Sequence, residues 1–138
     1  MKDLEKRKAA YGICGECNEP GTGNKWCQSC NAKRFKANFD NWTSGNDDID
    51  NLIRQSQLFA VYYKKCLEWI PFKNFEEVAY ITNGGFGEVY SAKWPEGHIC
   101  YWDIENKEWN RRSNIKVALK FLHNFSNIIP ELINEVIK

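Results

Sequence analysis

Residues 46–70 carry the plainest periodicity in the chain. Ile49, Leu52, Ile53, Ser56, Phe59, Ala60, Tyr63, Leu67 and Ile70 recur at steps of three and four, the spacing of one helical face. Asn46 and Asp47 can cap the start of that helix, Asp48 and Asp50 suit the positive end of its dipole, and Pro71 stops it. Further along, the period shortens to that of strands. Residues 75–82 and 87–94 are rich in β-formers and flank Asn83-Gly84-Gly85, which predicts a hairpin with a glycine turn. Residues 98–104 and 107–112 predict a second hairpin across Glu105-Asn106, and 115–122 predict a further alternating strand. Pro130 fits the first turn of a closing helix whose apolar stripe is Ile129, Leu132, Ile133 and Val136. The pattern is that of an α+β chain in three parts: residues 11–42, 46–70 and 75–138.

Composition narrows the function classes. Of 138 residues, 43% are hydrophobic and 27% charged, which excludes a mostly disordered chain. The longest apolar run, 58–63, is far short of the ~20 residues that cross a bilayer, so no membrane partner is expected. The charged start, Met-Lys-Asp-Leu-Glu-Lys-Arg-Lys, does not have the form of a secretory signal, and the expected location is intracellular, in the cytoplasm. A formal net charge of +1 argues against nucleic acid as the main partner.

Four of the six cysteines crowd into seventeen residues as Cys14-Gly15-Glu16-Cys17 and Cys27-Gln28-Ser29-Cys30. Each Cys-x-x-Cys turn aims two sulfurs at one point, and two such turns supply a tetrahedral four-thiolate site suited to Zn2+. Two disulfides or four free thiols are the other readings of the same residues. A segment this short buries little core, so a bound ion would supply most of its folding free energy. Four protein ligands leave no open position, which makes the expected ion structural. The form resembles zinc-ribbon and treble-clef modules, with the second pair leading into a helix predicted over 31–40. Lys33, Arg34 and Lys36 on that helix read as a solvated face beside Phe35 and Phe39, rather than as a phosphate-binding patch. Trp26 and Trp42 are expected to cover the metal module.

A second constellation lies in the strands. Ile81-Thr82-Asn83-Gly84-Gly85-Phe86-Gly87-Glu88-Val89-Tyr90 joins two strands through glycines, which let backbone N–H groups approach a polyphosphate. Val89 on the returning strand can cover a flat base. In Val117-Ala118-Leu119-Lys120, alternation puts Ala118 and Lys120 on one face, where small Ala118 leaves room for the base and Lys120 reaches the phosphates. A lysine on an inner strand face needs an anion, and Glu135 can supply one.

These residues closely resemble the ATP-binding N-terminal lobe of eukaryotic protein kinases. Gly84 and Gly87 match the second and third family glycines, Phe86 the aromatic at the loop tip and Val89 the base-covering valine. Val-Ala-Leu-Lys matches the family's Val-Ala-Ile-Lys. Glu135, fifteen residues after Lys120 in a Leu-x-x-Glu-Val pattern, is the preferred match for the helix glutamate, with Glu131 second. The resemblance implies an ATP site formed by Ile81, Asn83, Gly84, Gly85, Phe86, Gly87, Val89, Ala118 and Lys120, with Lys120 and Glu135 as the catalytic pair and Mg2+ in a complete enzyme. The fold it implies is a small zinc module, a linking amphipathic helix, and a lobe of antiparallel strands with one C-terminal helix.

There are departures. Thr82 stands where the family has its first glycine, and twenty residues, 95–114, precede the lysine strand, which reads as a hairpin added to the lobe. No Asp follows Asp103, so the catalytic-loop Asp and the Mg-binding Asp have no counterpart. The expectation is a lobe truncated before the catalytic loop, with whether this chain is an enzyme, and its protein substrate, left open. The Cys module together with residues 41–46 also resembles N-terminal extensions of some large fungal kinase families. The alternative reading is a non-catalytic zinc module for protein or nucleic-acid interaction, attached to a degenerate kinase remnant.

Overall fold

The computed structural model describes residues 4–84 and 87–122. The predicted closing helix, with Glu131 and Glu135, and the turn residues Gly85 and Phe86 lie outside the described residues. The described chain is a mixture of helix and sheet that clusters into two units. The first takes the residues up to Leu67 together with Ile99–Asn110. The second takes Glu68–His98 and the residues from Arg111 onward. Among the described residues no helix is long and apolar enough to cross a membrane.

The first unit opens with α1 (Leu4–Tyr11), a helix that the sequence pattern did not predict. The cysteine loops follow, then α2 (Gln28–Ala37), a single turn at Phe39–Asn41 and α3 (Asp47–Phe59). Asn46 caps α3 as expected: its side chain accepts from the N–H of Asp48 and Ile49. Ile49, Ile53 and Gln57 form the buried face of α3, which packs on α2.

The predicted helix across 46–70 is cut short, because α3 ends at Phe59 and Ala60 is extended. Competition for its carbonyls explains the stop. Gln28 Nε2 donates to Leu58 O at 2.6 Å, Trp26 Nε1 to Ala60 O at 2.9 Å, and Thr22 Oγ1 to Val61 O at 2.8 Å. A continuing helix would need those oxygens for N–H groups four residues on. The chain beyond is retied to α3 instead, through Leu67 N–H to Ser56 Oγ and Gln57 Nε2 to Leu67 O. Gly23 is required beside this segment. A Cβ there would lie 2.6 Å from Val61 O and 2.7 Å from Tyr62 Cβ.

The core of the first unit is Trp26, Phe35, Ala60 and Ile99, with Phe39, Tyr63 and Trp109 against it. Phe35 and Trp109 stack at 4.9 Å between centroids, and Trp26 and Trp109 at 5.9 Å. Trp109 and Ile99 come from the paired strands β3 (His98–Asp103) and β4 (Glu108–Arg112). That hairpin forms as its alternation predicted. Its residues 99–110 cluster with the cysteine module, however, where the sequence reading had them as an addition to the lobe. The reason is apolar area: Ile99 and Trp109 are absorbed by the rings of Trp26 and Phe35.

The second unit is an antiparallel sheet in the order β1-β2-β5, with β1 Glu76–Gly84, β2 Gly87–Trp94 and β5 Ile115–Leu122. In the β2–β5 register, Tyr90, Ala92 and Trp94 oppose Leu119, Val117 and Ile115. These six residues share one face, because directly opposed residues point the same way. With Ile70 and Phe75 they form the core of the unit, and Leu119 and Val117 are almost completely buried. β1 is an edge strand with two register shifts, and Val78, Tyr80 and Ile81 are exposed on it. Arg111 ties the strand ends together by donating to Glu68 at 2.7 Å and to Gly97 O at 2.7 Å.

Candidate functional site

The first Cys-x-x-Cys closes through backbone bonds. Cys14 N–H donates to Glu19 O and Asn18 N–H to Cys14 O, so Cys14 and Cys17 lie on one tight turn. The second pair begins a helix: Cys27 is the residue before α2 and Cys30 sits in its first turn, three residues earlier than the predicted helix start at Asn31. A second turn, with Gly23 and Trp26 paired and Lys25 at φ +54°, brings Cys27 back against Cys17.

The four sulfurs converge as the spacing predicted. Cys14 Sγ lies 3.9 Å from Cys30 Sγ, Cys17 Sγ lies 3.7 Å from Cys27 Sγ, and all four fall within 4.8 Å of one another. A tetrahedron with Zn–S of about 2.3 Å has an edge of about 3.8 Å, so these separations fit a four-thiolate ion. They are far beyond the ~2.05 Å of a disulfide, so neither of these two sulfur pairs is a disulfide. The donor set therefore fits a structural metal such as Zn2+. The four sulfurs would complete its coordination shell, and the ion would cross-link two chain segments.

The thiols are not poised alike. Burial pushes Cys27 and Cys30 up, and the neighbouring thiols add to the rise at Cys30. Burial also opposes the Cys14 thiolate, but N–H groups of Glu16 and Cys17 donate to it and bring it below its ordinary value. An incoming ion must therefore displace protons from Cys27 and Cys30.

Around the sulfurs is a set of side chains that the sequence reading did not connect. Arg34 is not on a solvated face. It makes a two-pronged ion pair with Glu16 at 2.6 and 2.9 Å and donates to Asn31 Oδ1. Its guanidinium also lies 4.4 Å from the centre of the Trp102 ring. Lys33 and Lys36 are exposed, and Phe35 is core, as expected. Trp26 is buried beside Cys27, whereas Trp42 packs near Phe39 and the Arg54 guanidinium. A cavity of about 460 Å³ lies beside the cysteines, lined in part by Tyr11, Asn31, Arg34 and Trp102. Only the placement of Glu16 inside a Cys-x-x-Cys and of Arg34 one turn after Cys30 hinted at that pair. Nothing local marked Trp102 or Trp109.

In the second unit, Val89 and Lys120 are direct cross-strand partners, and Ala118 opposes Ser91 on the same face. That face is turned away from the apolar core. Val89 and Lys120 are half-buried and Ala118 is buried. Gly84 pairs with Gly87 and Asn83 with Glu88, so Asn83 and Gly84 belong to β1 rather than to the turn expected at 83–85. Gly87 is buried with φ +144°, a backbone shape that side-chain-bearing residues rarely adopt. Ile81 and Asn83 are exposed on β1. Gly85, Phe86 and Glu135 lie outside the described residues.

No family model matches this chain, and neither a curated protein nor a solved structure does.

Proposed function

We propose that this chain joins a structural zinc module to the ATP-binding N-terminal lobe of a protein kinase. One observation carries the reading of the lobe. Val89 faces Lys120 across the β2–β5 pair, and Ala118 lies two residues before that lysine on the same non-core face. A cation, a small residue and a branched apolar residue side by side on a sheet offer a surface for a base with phosphates beyond it.

In this reading Val89 and Ala118 bracket adenine, and Lys120 holds the α- and β-phosphates. By the same resemblance Gly84, Gly85 and Gly87 are assigned to the phosphates, and Ile81, Asn83 and Phe86 to the ATP site as well. Glu135 orients Lys120. The partner is then ATP, accompanied by Mg2+ in a complete enzyme that transfers a phosphoryl group to a protein hydroxyl. The general base and Mg2+ ligands of that transfer have no counterpart among these residues, so the activity assigned to this chain is nucleotide binding. In this reading a four-thiolate site and an ATP pocket fit a reducing compartment inside the cell, the cytoplasm.

The test is a thermal melt of the zinc-loaded chain with increasing ATP. A ligand that binds only the folded state raises stability by about 2.7 kcal/mol at a hundred times its dissociation constant. The melting temperature should rise with ATP in the wild type and stay level in Lys120→Met. No rise in the wild type, or an equal rise in Lys120→Met, would refute the nucleotide reading. A chain that keeps zinc but ignores ATP would instead fit a non-catalytic interaction module.

A further inference from the structure

The two cysteine pairs are separated by nine residues, and each could hold its own sulfurs in place without fixing the other. One side chain bridges them. Glu16 lies inside the first Cys-x-x-Cys, and Arg34 lies on α2, four residues beyond the last cysteine. Their fork-to-fork ion pair, at 2.6 and 2.9 Å, runs from one ligand turn to the other. The same guanidinium donates to Asn31 Oδ1 at 2.9 and 3.3 Å, and Asn31 is only 2% exposed. Its flat face covers Trp102 of β3. Nearby, Ile104 Cδ1 stands over Gly15, and the Lys25 ammonium lies 4.7 Å from the centre of the Tyr101 ring.

Exposed ion pairs usually contribute little, because two flexible side chains must be ordered in high dielectric. Arg34 differs in three ways. Its contact with Glu16 is two-pronged, it has a further acceptor on a buried side chain, and one of its faces lies over a ring.

We infer that Arg34 is the positioning residue of the metal centre. It locks the first Cys-x-x-Cys to the second and couples metal occupancy to the seating of the β3–β4 hairpin within the first unit. The inference rests on the metal reading of the four cysteines. Coupling of this kind works in both directions: the ion holds Glu16 and Arg34 in register and so steadies Trp102, and a seated hairpin in turn favours the ion.

The test is a Co2+ titration of the full apo chain against a competing chelator. The thiolate-to-cobalt absorption band and tryptophan emission are read together. In the wild type the two signals should change in step, emission falling as thiolate-bound Co2+ quenches the tryptophans beside it. Arg34→Met should weaken Co2+ by about 10-fold, the low end of the cost of losing a group bonded directly to a ligand because Arg34 acts through Glu16 and Asn31, and should uncouple emission from absorption. Arg34→Lys keeps the charge without the fork and should fall between. Glu16→Gln, a change at a partly exposed site, should match Arg34→Met, and the double variant should be no worse than either single one. Co2+ affinity within twofold of wild type in both Arg34→Met and Glu16→Gln, or additive losses in the double variant, would overturn the inference. Absence of any thiolate band in the wild type would overturn the metal reading itself.

Discussion

Asp50 offers the sharpest test of how α3 is anchored. The residue is 4% exposed, and its carboxylate accepts three hydrogen bonds from the segment before the helix. Thr43 Oγ1 donates at 2.6 Å, Ser44 Oγ at 2.5 Å and Ser44 N–H at 2.8 Å. Hydrogen bonds to a charged group contribute about 1.5–3 kcal/mol each. Thr43 is exposed and can turn to water, so its share is small, whereas the two Ser44 donors are half-buried. Asp50→Ala should therefore cost about 3 kcal/mol, and Asp50→Asn about half of that, since it keeps the shape and one acceptor. For a chain of this length, 3 kcal/mol corresponds to roughly 12 °C in melting temperature.

The pH dependence follows from the same contacts. Burial opposes the charge of Asp50, but the bonds from Ser44 and Thr43, with the Arg54 guanidinium, outweigh it and hold the carboxyl below its ordinary value. The folded state thus binds its proton less readily than the unfolded state. The stabilisation is complete above the ordinary carboxyl value of about 4 and is lost as pH falls through the depressed one. Urea melts of wild type and Asp50→Asn should differ most near neutral pH and converge in acid. A difference under 0.5 kcal/mol at pH 7, or a gap that does not narrow at pH 2.5, would refute the reasoning.

Three further outcomes are expected. Trp109→Ala should destabilise the first unit by about 3 kcal/mol, the low end for a large core aromatic because Trp109 is half-buried, and calorimetry on the metal-loaded chain would measure it. Gly23→Ala should cost about 1–3 kcal/mol, since its methyl group would press on Val61 O and Tyr62; a melting temperature unchanged from wild type would show that the 60–62 segment yields freely. Metal affinity should fall as pH is lowered, because Cys27 and Cys30 hold their protons more tightly than an ordinary thiol, and Co2+ titrations between pH 8 and 6 would follow it.

Local pattern carried much of this molecule. The Cys-x-x-Cys pairs determined where four sulfurs would meet, because each spacing closes a turn by itself. Alternation determined β2, β5 and the β3–β4 hairpin, and it placed Ala118 and Lys120 on one face, since the pleat of a single strand decides which of its side chains share a side; that Val89 joins them came from the β2–β5 register. The Asn46 cap was legible for the same reason: its partners are two and three residues away.

Long-range contacts decided the rest. Where α3 stops was settled by Trp26, Thr22 and Gln28, which are thirty or more residues distant and take the carbonyls of Ala60, Val61 and Leu58 at and just beyond its end. Apolar periodicity continues past Phe59 and holds no record of that competition. The hairpin's strands were written in residues 98–112, but its place beside the cysteine module was fixed by Ile99 and Trp109 meeting Trp26 and Phe35. Arg34 looked like any helix-surface cation until folding brought Glu16 and Trp102 to it. Backbone preference acts over a few residues and is readable in order along the chain. Burial of apolar area and pairing of charge act between segments, and only the folded chain determines which segments those are.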